Sequence, residues 1–334
     1  MRIRVTSLIL AVAVLPGCGK APTTIDPFFQ HITDSLAQRF VAGGRAESVY
    51  CIAIDQSGGV LSLFQSGRDG GIGTPVTGHM ILPGALCLPA LVGAALTDSV
   101  LTLDPDAPAP LRKSDPSPVS AEELTEGLAY SRMRLSALLA SAYGGDSPYE
   151  SNVPKWRGWL SLIPVNAQDK ERYYLQLFTG EAVMVRCDEL ASFFNAVTGG
   201  GVRKPPRINP NSASWQERIL DEAVADTLRG ILLKVAGSPR SPSYAGNLGF
   251  PVTGMGASVK TRPCKGGEGA CVSTYVGTFH LPGDERLTLL VSTELEGSGP
   301  ETGANDLFRE LALEYREAAS SGVRGPITTN KTNP

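Results

Sequence analysis

Apolar residues along this chain recur at helical and at strand periods in separate stretches. Phe28, Ile32, Leu36 and Phe40 recur at helical spacing and predict an amphipathic helix over residues 27–41. Residues 48–64 read S-V-Y-C-I-A-I-D-Q-S-G-G-V-L-S-L-F, two strand-like runs joined by a turn at 55–59, which is a hairpin pattern. Residues 81–96 read I-L-P-G-A-L-C-L-P-A-L-V-G-A-A-L. A turn at Pro83 and Gly84 opens an apolar helix there, and the absence of charge predicts that it is buried. Residues 120–142 predict a helical run that opens on the capping box Ser120-Ala121-Glu122-Glu123. Residues 189–207 predict a helix, a glycine stop and a Pro-Pro exit. Residues 214–235 predict a further helix, with Ile219, Val224, Leu228, Ile231 and Leu232 on its apolar side. Two strands follow within residues 275–293, around Pro282-Gly283-Asp284, and an amphipathic helix over 306–318 closes the pattern. Between these elements, residues 101–118 form a proline-rich loop. Residues 144–170 are irregular, with Trp156 and Trp159 suggesting a small satellite core, and residues 322–334 read as a disordered tail.

Composition narrows the setting. The 334 residues suffice for one large domain or two small ones, and 42% of them are apolar. A net charge of −3 gives no reason to expect nucleic acid as a partner. At the start, Arg2 and Arg4 precede an apolar run over residues 5–15, followed by Leu15-Pro16-Gly17-Cys18. That run is too short to span a bilayer. The pattern resembles a bacterial lipoprotein signal, which implies that residues 1–17 are removed and that Cys18 carries the lipid. An ordinary signal peptide with an incidental cysteine is the plainer alternative. Gly19, in place of an aspartate, favours the outer membrane if the cell is Gram-negative.

Five further cysteines remain. Cys264 and Cys271 flank the loop K-G-G-E-G-A, and outside the cytosol a disulfide closing that hairpin is expected. Cys51, Cys87 and Cys187 lie in apolar or helical runs and are expected as buried thiols. No group of His, Cys, Asp and Glu has metal-ligand spacing, so neither a metal nor a cofactor is expected. His31, His79 and His280 form no Ser-His-Asp order.

Several stretches, taken in order, resemble the penicillin-binding-protein transpeptidase family. That family opens with a hairpin A-x-x-x-D-x-x-T-G-x-x-L-A, where Asp55 and Gly59 match. It continues with P-G-S-x-x-K-P and an apolar helix, which residues 83–89 follow as P-G-A-L-C-L-P. L-A-Y-S-R-M-R-L-S-A-L-L-A, residues 128–140, follows L-A-x-S-x-N-x-x-F-x-x-L-A. E-L-A-S-F-F-N-A-V-T-G-G-G-V-R-K-P-P-R, residues 189–207, follows Q-L-A-x-x-Y-A-x-x-x-N-G-G-x-x-x-P-P-R. G-F-P-V-T-G-M-G-A-S, residues 249–258, follows G-x-P-V-A-G-K-T-G-T. The resemblance runs from residue 48 to 318 and implies an α/β fold: an antiparallel five-stranded sheet flanked by helices, beside an all-helical lobe. It divides the chain into a signal at 1–17, a tether and leading helix at 18–47, the transpeptidase-like domain at 48–318 and a tail at 319–334.

The same comparison implies that the catalytic groups are gone. In the family a serine attacks the carbonyl and a lysine one turn later activates it. Ala85 and Leu88 hold those places here. Ser131 fills the serine of S-x-N, but Met133 fills the asparagine. Met255, Gly256 and Ala257 stand where the family has K-T-G, and Ser258 stands at the threonine that follows. Lys260-Thr261-Arg262 begins like K-T-G, but five residues too late. Loss of a nucleophile alone costs about 10⁶ in kcat for acyl transfer. The implied function is an inactive envelope lipoprotein that binds or scaffolds in peptidoglycan metabolism. Its expected partners are stem peptides or cell-wall synthesis proteins, and it meets the membrane through its lipid. Two alternatives stand beside this: an active serine or cysteine acyltransferase or D,D-peptidase with a relocated nucleophile, and an envelope binding module for a non-wall ligand. The four side chains Ala85, Leu88, Met133 and Met255 are expected to converge and plug the cleft.

Overall fold

The computed structural model describes residues 23–66, 79–104, 118–144, 163–164, 182–212, 214–260, 270–296 and 303–321. In chain order the helices are α1 (Pro27–Ala42), α2 (Leu88–Thr97), α3 (Ala121–Ala129), α4 (Arg132–Gly144), α5 (Cys187–Thr198), α6 (Glu222–Gly237) and α7 (Gly303–Ser320). The strands are β1 (Ser48–Asp55), β2 (Val60–Ser66), β3 (His79–Pro83), β4 (Ile163–Pro164), β5 (Ala182–Arg186), β6 (Val202–Arg203), β7 (Glu217–Arg218), β8 (Thr253–Lys260), β9 (Ala270–His280) and β10 (Arg286–Glu296). The main sheet is antiparallel with order β2-β1-β10-β9-β8. The expected five-stranded sheet flanked by helices is therefore the architecture found.

The sheet is buried on both faces. Along β1, Tyr50, Ile52 and Ile54 enter one core, and Val49, Cys51 and Ala53 enter the other. This is the two-residue alternation of a strand applied to a run with no polar face. The second core is closed by α1, through Phe29, Leu36 and Phe40, and by α7, through Leu307, Phe308, Leu311 and Tyr315. The leading helix is thus packed into the domain. Its start is pinned as well: the Thr24 amide donates to the Ile208 carbonyl at 2.7 Å, and the Asp26 amide donates to Leu61 at 2.9 Å. The first core lies on the opposite face, where α5 and α6 join α2, α3 and α4.

Local chemistry explains the boundaries. The Asp55 carboxylate accepts from the amides of Ser57 (2.7 Å) and Gly59 (2.8 Å), which folds the β1–β2 turn. The Ser120 hydroxyl accepts from the Glu123 amide at 3.1 Å, and Glu123 returns a bond to the Ser120 amide at 2.9 Å, completing the expected capping box. At Gly201 the backbone φ is +82°, and an added Cβ would sit 2.2 Å from the Leu220 carbonyl oxygen. Only glycine fits there.

Three expectations are corrected. The apolar run after Pro83 begins as a single 3₁₀ turn, Gly84–Cys87, and becomes α-helical only at Leu88, just before Pro89 in the first turn of α2. The expected helix over 214–235 starts eight residues late, at Glu222. Glu217 and Arg218 pair with β6 instead, and the Ile219 amide donates to Gly201 at 2.9 Å. The second sheet, β3-β5-β4, was not anticipated, because its strands are short and two lie in stretches read as irregular or left unread. Cys18, Trp156, Trp159, Cys264 and the tail at 322–334 lie outside the described residues, so the Cys264–Cys271 pairing is not tested; Cys271 is buried at the start of β9.

Cys51, Cys87 and Cys187 are buried, as expected of core thiols. Burial pushes all three thiols up, Cys87 to about 12 from an ordinary 9.0. The folded state keeps these protons while the unfolded chain loses them, so this contribution is fully present below pH 9 and fades as pH rises above it. We expect stability to fall above pH 9 by about 1.4 kcal/mol per pH unit for each such thiol. Thermal melts from neutral to alkaline pH should show a shallower decline for Cys87→Ala than for the parent chain. Parallel curves would show that Cys87 ionises in the fold.

Candidate functional site

The site lies where the edge strand β8 meets the 3₁₀ turn and the helices beyond it. β3 delivers the chain to Pro83 in an extended conformation, ψ 120°, and the turn follows at once. Ala85 and Leu88 are three residues apart, a spacing that eclipses in a 3₁₀ turn. Both are buried in the first core, as are Leu86 and Cys87. β8 packs against this turn and against β3. It presents Met255, fully buried, to the same core. Ala85, Leu88 and Met255 thus belong to one apolar core, and the strand that carries Met255 packs against the turn that carries Ala85.

The register of β8 disposes of the late K-T sequence. Met255 pairs with Val276, and Lys260 pairs with Cys271. Five positions separate Met255 from Lys260, so the two side chains leave opposite faces of the sheet. Lys260 is exposed. Gly256 is held by close packing: a Cβ there would meet the Tyr275 ring at 2.7 Å and Asn305 Oδ1 at 2.8 Å. The family's threonine has no room at this position. Ser258 donates to the Ser273 hydroxyl directly across the ladder at 3.2 Å, a cross-strand bond.

The third motif position departs from expectation. The helical run breaks between α3 and α4, and Ser131 sits at the break, its carbonyl accepting from the amides of Arg134 and Leu135. Among the described residues no hydrogen bond reaches the Ser131 hydroxyl. Met133 is 69% exposed and does not join Ala85, Leu88 and Met255. The expected convergence of all four side chains is not found, because Met133 stands outside the core. The first turn of α4 turns Met133 outward, and the residue that turns inward is its neighbour Arg132.

Arg132 was missed by the sequence reading. Its Nε donates to the Leu128 carbonyl at 3.1 Å. Its Nη2 donates to the Ser243 hydroxyl at 3.1 Å and to the Gly256 carbonyl at 2.8 Å. Ser243, fully buried, donates to the same Gly256 carbonyl at 3.0 Å. One guanidinium therefore ties the α3–α4 junction to the β8 backbone beside Met255. Burial alone lowers its pKa, to about 10, and its described partners are all neutral oxygens. A signal was available: an arginine in the middle of S-x-M, between two apolar helical runs.

The three buried side chains Ala85, Leu88 and Met255 carry neither a nucleophile nor a base. Of the described lysines, Lys234 and Lys260 are exposed, and Lys204 donates to the Gln56 carbonyl at 3.2 Å. Cys87 is buried and held as a thiol, which is the inert form. Among the described residues no group of His, Cys, Asp and Glu is placed to hold a metal ion.

No protein-family model matches the sequence, and no curated protein matches it. Solved structures match its fold. The TP domain of penicillin-binding protein 3 from Burkholderia pseudomallei aligns with a TM-score of 0.65 at 18% identity, over 93% of this chain and 100% of that one. A peptidoglycan synthetase from Bifidobacterium adolescentis gives 0.65 at 17% identity over 92% of this chain, which spans 63% of that protein's chain. Penicillin-binding protein 3 from Mycobacterium tuberculosis, complexed with aztreonam, gives 0.62 at 18% identity over 89% of this chain and 79% of that one. The chain has the fold of a penicillin-binding-protein transpeptidase domain.

Rebuilding the K-T pair should fail on packing. Gly256→Thr forces the Tyr275 ring or Asn305 to move and should cost about 1–3 kcal/mol. Met255→Lys buries an ammonium among apolar side chains and should cost a few kcal/mol more. Urea denaturation of the single and double variants measures both. A Gly256→Thr chain as stable as the parent would show that the β8 edge has room for the family's side chain.

Proposed function

We propose that this chain is a catalytically inactive, transpeptidase-like lipoprotein of the cell envelope, with a binding or scaffolding role in peptidoglycan metabolism. The observation that carries the reading is the burial of Ala85, Leu88 and Met255 together, where the resembled family keeps a serine and two lysines. A nucleophile and its activating amine act as a unit, and here both places are apolar. The fold alone does not carry a role in the cell wall; that part of the reading rests on the ordered motif resemblance. The expected ligands are stem peptides, and the expected partners are proteins of wall synthesis.

Incubation of the full chain with a fluorescent penicillin should give no covalent, denaturation-resistant label under conditions that label an active transpeptidase. A labelled band would overturn the inactive reading and favour a relocated nucleophile, which mass spectrometry of the labelled peptide would locate.

The envelope location rests on the first residues. Among the described residues no helix is long and apolar enough to cross a membrane. Anchoring is assigned to lipid on Cys18 because residues 1–18 resemble a lipoprotein signal; several acyl chains give stable attachment and a single chain only a marginal one. Cys18→Ser should move the protein out of the membrane fraction. Unchanged fractionation of that variant would remove the lipoprotein assignment.

A further inference from the structure

Beside the α3–α4 junction lies a cleft of about 620 Å³. That size suits a small organic ligand, since such sites span about 300–1,000 Å³. Its lining carries three guanidinium groups, those of Arg132, Arg134 and Arg240, and among the described residues no carboxylate. Arg134 and Arg240 are exposed and form no ion pair among the described residues. Arg132 is anchored through Nε and Nη2, and its Nη1 has no hydrogen-bond partner among the described residues. The first turn of α4 lines the same cleft, and the positive end of that helix adds to the field. Close by, Met133 and Tyr130 are 69% and 52% exposed. Met133 is the most exposed of the large apolar side chains among the described residues.

These features combine cationic and apolar contacts on one wall. A guanidinium held by neutral oxygens has lost water without gaining a counter-charge, so an arriving anion gains more there than at an ordinary surface arginine. Arg134 and Arg240 supply further charge, and Met133 and Tyr130 supply a surface for a hydrocarbon arm.

We propose that this cleft binds a small ligand that carries an oxyanion, carboxylate or phosphate, on a short apolar arm, with the oxyanion between Arg132, Arg134 and Arg240 and the arm on Met133 and Tyr130. The site uses cations from α4 and from the loop after α6, and needs no lysine on β8. It deepens the binding role proposed above and rests on it for the loss of catalysis. Direct titration reads ligand binding without peptidoglycan or acylation. Penicillin labelling would therefore sink the inactive reading, whereas a null titration would sink only the oxyanion site.

The test is calorimetric titration of the full chain, in a nonionic detergent at low salt, with butanoate, butyl phosphate and the neutral butanamide. At least one anion should bind, butanamide should bind about tenfold more weakly or not at all, and added salt should weaken the anion. Preference between butanoate and butyl phosphate identifies the source of the oxyanion. The double variant Arg134→Gln with Arg240→Gln, both at exposed positions, should keep its melting temperature and lose about tenfold in anion affinity. Arg132→Gln should also lose anion affinity, and the double variant decides the question if Arg132→Gln fails to fold. Absence of binding by both anions, equal binding of butanamide, or unchanged affinity in the double variant would each overturn the proposal.

Discussion

Everything in this molecule hangs on a sheet that is apolar on both faces. Side chains of β1 divide alternately between two cores, so neither face tolerates water. Burying one large aliphatic or aromatic side chain contributes about 1.5–3 kcal/mol, and both faces carry many. The sheet must therefore be covered twice. α1 and α7 cover one side; α5, α6 and the helices packed on them cover the other. Several polar groups caught between are paired, Thr274 with Ser292 and Thr278 with Thr288, each at 2.8 Å across neighbouring strands, while the buried Tyr275 hydroxyl has no hydrogen-bond partner among the described residues. The Tyr315 hydroxyl lies between Thr33 and Ser62, which joins α7 to α1 and β2 inside the second core. A buried hydroxyl without such a partner would cost about 1–3 kcal/mol.

Double coverage also sets where a site lies. β8 is an edge strand, and one of its faces meets the 3₁₀ turn that follows β3. An enzyme of the resembled family fills that junction with a network of charged and polar groups. Here Ala85, Leu88 and Met255 are apolar and buried, and a packed apolar site in place of a buried ionic network is often neutral or stabilising. A cation lies beside the junction. Arg132 reaches across from the helices to the Gly256 carbonyl, and Ser243 completes the contact. The contact holds the helical part of the molecule to the sheet edge. It also leaves positive charge facing an open cleft, which is the physical basis for an oxyanion ligand.

Much was legible in the sequence because it depends on neighbours only a few residues away. The helical spacing of Phe28 to Phe40 gave α1, the Asp55-to-Gly59 turn gave the first hairpin, and the Ser120 capping box gave the start of α3. Positive φ at Gly200 and Gly201 is what the glycine stop after α5 required. The ordered motifs, each weak alone, pointed to the fold and to the apolar replacements at Ala85, Leu88 and Met255. Short-range signals failed where a distant partner decided the outcome. Residues 214–221 carry part of a helical period, yet Glu217 and Arg218 pair with β6 and the helix waits until Glu222. β3 and β5 exist because they find each other across about a hundred residues of chain, a pairing that no local pattern encodes.

The side chains of S-R-M show the same division most sharply. Sequence determined that an arginine and a methionine stand at the start of α4 and that the family's asparagine is absent. It did not determine which of the two turns inward. Hydrophobicity alone favours methionine inside and arginine outside, yet Met133 is exposed and the half-buried Arg132 is bonded inward to the Gly256 carbonyl. The reason is tertiary: the Gly256 carbonyl, the Ser243 hydroxyl and the Leu128 carbonyl come together only in the folded state. Three converging oxygens offset the burial of a guanidinium in a way that no apolar side chain can match.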